Sequence, residues 1–141
     1  MATSVPARLP RLAIGPDAIV PAAYGLGALS LAGEAAVHVQ QFAILFHDVR
    51  WIGPLFLANA VAIVAVIAGL ALPRTRQIAA LAGVAISALA LGSLVVSYGH
   101  GFLGWQEAGF RTPVAVAVIT EVGAVVLLTA AVTGSALLRE R

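Results

Sequence analysis

The sequence predicts an all-α integral membrane protein: a four-helix bundle with antiparallel, up-down neighbours. Composition is the first reason. Of 141 residues 61% are hydrophobic and 10% charged, and the mean hydropathy is +1.02. A soluble domain is about half apolar and a quarter charged. That much apolar surface cannot hide inside one small globule, and disorder needs the opposite composition. Pattern is the second reason. Four apolar stretches, 18–46, 52–72, 78–98 and 113–138, can each cross a hydrocarbon core of about 30 Å. Helices satisfy their own backbone in lipid, and the Ala- and Gly-rich spans suit them better than strands. Punctuation is the third: His47-Asp48-Val49-Arg50, Pro73-Arg74-Thr75-Arg76 and the stretch from Gly99 to Arg111 separate the spans.

The elements follow in order. Residues 1–17, with Pro6, Pro10 and Pro16, read as a flexible surface tail. The first apolar run is too long for the core of a signal peptide and no A-x-A-like site follows it, so it reads as a retained span. Short links after spans one and two force antiparallel neighbours. Thr112 before Pro113 reads as a cap and first position of the fourth span. Residues 139–141 form a basic end, and 18–138 a single domain. Ala79, Gly83 and Ser87, like Ala28, Ala32 and Ala36, recur every four residues, a spacing that lets helix backbones approach closely.

The charge pattern bears on surroundings. The net charge of +2 and pI near 9.9 rest on eight arginines, without a lysine. Arg8, Arg11, Arg74, Arg76, Arg139 and Arg141 fall on one side and Arg50 and Arg111 on the other, which predicts both termini in the cytoplasm of a bacterial inner membrane. Arginines scattered along an apolar chain fit membrane flanks, not a nucleic-acid footprint. Trp51, Phe102, Trp105 and Phe110 read as anchors at the outer interface. With no cysteine, disulfides, zinc fingers, thiol redox chemistry and cysteine-ligated iron–sulfur clusters are excluded.

Polar groups in lipid are costly, so each needs an account. Glu34, His38, Gln41 and Asp48 share one face of the first span, at offsets of 4, 7 and 14 from Glu34. Counted at 1.5 Å per residue, His38 lies about 12 Å, Glu34 about 18 Å, Glu121 about 13 Å and Asn59 about 10 Å below the outer end. A shared polar layer in the outer half of the bundle is therefore expected, with Gln41, Asn59, Ser97 and Thr120 as further lining. Three readings fit it. It is a polar knot that fixes helix register, a site for divalent iron, manganese or zinc built on Glu34, His38 and Glu121, or a proton or ion path. His47, Asp48, His100 and Glu107 form a weaker metal constellation at the outer interface. Haem is disfavoured, because His38 lies at a different height from His47 and His100. No nucleophile–base pair or phosphate loop is evident.

The run Gly33-Glu34-Ala35-Ala36-Val37-His38, with Phe46-His47 and Trp51-Ile52-Gly53-Pro54-Leu55-Phe56, resembles a family of small, uncharacterised bacterial four-span membrane proteins. His38, His47, Trp51, Gly53 and Phe56 match its positions, Thr120-Glu121 matches its acidic position in the fourth span, and Glu34 departs from its pattern. The layout is also similar to that of DoxX-like proteins. The resemblance implies four antiparallel spans. The expectation for function is a non-enzymatic accessory or structural subunit of a bacterial membrane assembly, associated with lipid and with other subunits or copies of itself. A metal- or cofactor-binding, redox-associated protein and an ion translocator are the alternatives.

Overall fold

The computed structural model describes residues 16–140. The expectations for residues 1–15, and for Arg8, Arg11 and Arg141, lie outside them. The fold is a four-helix bundle: α1 (Pro16–Gln41), continued by a π-helical turn (Phe42–Phe46), α2 (Ile52–Ala71), α3 (Arg76–Gly99) and α4 (Thr112–Arg139). All four are long and apolar enough to cross a membrane. The helices close a ring in which each touches its sequence neighbour and α1 packs on α4, the most extensive contact.

Local chemistry explains the ends. Pro16 opens α1 at the position where a missing N–H costs nothing, so the last two residues read as tail are helical. Thr75 ties the link from α2 to α3 by donating its hydroxyl to the carbonyl of Gly69 at 2.8 Å. Thr112 is the first helical residue of α4, not its cap; Arg111, in extended backbone, holds the cap position and Pro113 follows inside the first turn.

The core is divided along its length. Towards the end that carries the described helix termini, Leu31, Ile63, Ala80, Ala124 and Leu128 are fully or almost fully buried. Gly27 and Gly83 bring α1 and α3 against Leu128, and a Cβ on Gly83 would lie 2.8 Å from a Leu128 methyl. The row Ala79, Gly83, Ser87 is buried as expected, whereas Ala32 and Ala36 are exposed. The buried row of α1 runs instead through Gly27, Leu31, Glu34 and His38.

The other half of the bundle is polar inside and is roofed by the 100–111 loop. The π-helical turn sets its entrance. It spends more residues per turn than an α-helix, which swings Phe46 inward onto Phe56 and Trp105, at ring separations of 4.5 and 4.9 Å. The same rotation carries Asp48 off the polar row; its side chain is 91% exposed and pairs with His47 at 3.0 Å. The loop aromatics divide. Phe110 and Trp51 are exposed, as anchors would be, while Phe102 and Trp105 turn inward as walls of a cavity.

Candidate functional site

Glu34, His38 and Glu121 meet in the polar half. One potential ligand atom from each lies within 4.8 Å of the other two, and all three residues are buried. The spacing Glu34–His38 places both on one face of α1 a single turn apart, and α4 brings Glu121 opposite them through the tight α1–α4 contact.

The two carboxylates have different surroundings. Glu34 is fully buried and accepts hydrogen bonds from Ser87 Oγ at 2.6 Å and Asn59 Nδ2 at 3.3 Å. One side chain of α1 is thereby tied to α2 and α3. Glu121 is 3% exposed, and its Oε2 is buried without any partner. A buried carboxylate oxygen without a donor from the chain is costly, so it needs a proton, a water or a cation to meet it.

His38 links the pair. Its Nδ1 donates to the Glu34 carbonyl at 2.9 Å, which makes Nε2 the ring nitrogen that carries the lone pair. That lone pair accepts from Asn59 Nδ2 at 2.9 Å. Phe56 lies against the imidazole with ring centroids 4.8 Å apart and fixes its plane. An N–H held by a carbonyl is the usual way a protein orients a ligating imidazole.

A cavity of about 100 Å³ runs from the site to the loop, with His38 and Glu121 among its walls and Gln41, Ser97, Trp105 and Arg111 nearer the loop. That volume holds several waters. At its mouth Arg111 binds the buried Glu107 through two bonds of 3.0 Å each and reaches Gln41 at 3.4 Å. The Glu107 carboxylate holds the Arg111 guanidinium above its ordinary pKa against partial desolvation. A raised value means that the guanidinium stays charged up to and beyond the ordinary arginine range, so the cationic half of the pair is lost only above it. Backbone and side chain of Ser97 fasten the loop through the Glu107 amide.

The remaining predicted residues do not join this group. Thr120 spends its hydroxyl on the carbonyls of Val116 and Ala117, and its methyl packs on Gly33. His47 and His100 are exposed, and Glu107 belongs to Arg111, so among the described residues no second cluster of three such ligands forms. Gln41 and Ser97 line the cavity above the site, and Asn59 bonds directly to it. Sequence reasoning missed Ser87, which looked like a packing residue. Its place on the same face as Ala79 and Gly83, at the depth of Glu34, is the signal that could have found it. The roles of Trp105 and of the Glu107–Arg111 pair were missed as well; the four-residue spacing of the latter was visible.

Comparison of the chain with protein-family models, curated proteins and solved structures finds no match.

Proposed function

We propose that this chain is a small integral membrane protein that holds one divalent transition-metal ion with Glu34, His38 and Glu121. A single observation carries the reading: three buried ligand atoms from α1 and α4 lie within 4.8 Å of one another, and one carboxylate oxygen among them has no hydrogen-bond donor. Tetrahedral donors at about 2.1 Å from one ion are about 3.4 Å apart, so the carboxylates need to close by about 1.4 Å at most, with the Asn59 amide moving off His38 Nε2. Charge supports the same reading. Two carboxylates in a water-poor layer need a countercharge, from a proton or a cation. Arg111, the arginine that lines the same cavity, is committed to Glu107.

One imidazole with two carboxylates suits iron, manganese or zinc. The cavity gives the ion a route from the outer face. In this reading the protein sits in a bacterial inner membrane with both termini cytoplasmic, on the arginine asymmetry. It acts as a metal-dependent component of a membrane assembly, and the likeness to small four-span bacterial proteins belongs to the same proposal. Translocation across the bilayer is disfavoured, because below Glu34 the core is closed by Leu31, Ala124 and Leu128, all at 0% exposure.

A second reading has its own support. Glu34 joins α1 to α2 and α3 through Asn59 and Ser87, which is what a purely structural polar knot in an accessory subunit would do. Elemental analysis separates the two. The metal reading expects about one equivalent of iron, manganese or zinc in the purified protein or after reconstitution, lost in His38→Ala while the helical signal is kept. A metal-free preparation that takes up no ion, with unchanged behaviour in His38→Ala, selects the knot.

A further inference from the structure

A second polar site lies at the opposite end of the bundle. Tyr24, Arg76, Gln77, Ser135 and Arg139 line a pocket of about 190 Å³ between α1, α3 and α4. Arg76 is fixed in it. Its Nε donates to the Leu70 carbonyl at 2.9 Å, and its guanidinium carbon lies 5.6 Å from the centre of the Tyr24 ring. The two terminal nitrogens have no hydrogen bond among the described residues, and neither Arg76 nor Arg139 is in an ion pair there. Ser135 gives its hydroxyl proton to the Ala131 carbonyl, so the Tyr24 hydroxyl donates to Ser135 at 3.2 Å. Among the described residues no carboxylate lines the pocket; Glu140, next to Arg139 in the sequence, is exposed.

The level of the pocket is set by length. From Pro16 to Phe46 the first span is about 46 Å long, well beyond a hydrocarbon thickness of about 30 Å. Tyr24, two turns inside the helix start, therefore sits near the headgroup boundary. Two cationic forks, one pre-oriented on an aromatic face, meet the bilayer where phosphates are densest. Arginine matches phosphate oxygens with paired N–H donors, and basic pockets between spans at this height are suited to anionic headgroups. The apolar wall of Val20 and Pro21 beside the cations favours a ligand that carries a hydrocarbon chain.

We propose that this pocket binds the phosphodiester of an anionic phospholipid, independently of the Glu34–His38–Glu121 site. The test is native mass spectrometry of the full chain released from nanodiscs that contain phosphatidylglycerol and phosphatidylcholine in equal amounts. The wild type is expected to retain phosphatidylglycerol preferentially. Arg76→Gln with Arg139→Gln should lower that preference about tenfold. Arg139→Gln alone, at an exposed position that does not endanger folding, should lower it by a smaller factor in the same direction. Arg74→Gln, exposed and outside the pocket, should leave it unchanged. Equal retention of both lipids overturns the proposal. So does an Arg74→Gln effect as large as that of Arg139→Gln, which would mean diffuse surface charge. Complete displacement of phosphatidylglycerol by inorganic phosphate would assign the pocket to a free anion instead.

Discussion

Glu34 and Glu121 reach the same point from different helices, yet only Glu34 has donors on both oxygens. The two should therefore respond differently to the same change. Glu121→Gln removes a ligand without breaking a hydrogen bond to another helix, and it should lower metal affinity by about 100-fold or more with little change in melting temperature. Ser87→Ala removes the 2.6 Å bond to Glu34 and should cost stability, about 1 kcal/mol given the modest worth of interhelical bonds in lipid, while metal affinity falls less than in Glu121→Gln. Paired metal titrations and thermal melts check both. The reverse pattern, with Ser87→Ala abolishing binding and Glu121→Gln only destabilising, would exchange the roles given to ligand and support.

At the scale of elements the site depends on how closely the helices approach beneath it. A side chain on Gly83 would run into Leu128, Leu31 and Val66, whereas Gly92, further along α3, has open space. Gly83→Leu should therefore destabilise the bundle by about 1–3 kcal/mol through overpacking, and by pushing α3 from the α1–α4 pair it should weaken metal binding too. Gly92→Leu should leave both almost unchanged. Detergent-denaturation midpoints for the two variants measure this; equal midpoints would mean that the close approach at Gly83 does not hold the helices in place.

The elements themselves were legible in the sequence, because apolar run length and Pro, Gly and Arg punctuation are one-dimensional signals. Depth was legible for the same reason: counting residues put Glu34, His38, Asn59 and Glu121 in one layer, and the structure brings them together. Rotation was less so. The π-helical turn at Phe42–Phe46 breaks the period on which the Asp48 placement relied. The Ala28, Ala32, Ala36 row carries no mark that tells lipid from protein, since both are apolar. Thr120 could not be separated from Glu121 by depth alone, as adjacent residues on a helix point about 100° apart.

Seen whole, the molecule is polar inside at the loop end, packed with aliphatic side chains through its middle above the Tyr24–Arg76 pocket, and apolar over most of its outer surface. The cavity reaches from the loop to the buried group, while Leu31, Ala124 and Leu128 fill the core beyond it. This asymmetry suits a resident ion better than a path through the bilayer. X-ray absorption at the metal edge of the metal-loaded protein tests this most directly. The account predicts a nitrogen- and oxygen-containing shell at about 2.0–2.2 Å with the outer scattering of one imidazole, which disappears in His38→Ala. An all-oxygen shell without imidazole scattering, or a spectrum unchanged by His38→Ala, would contradict it.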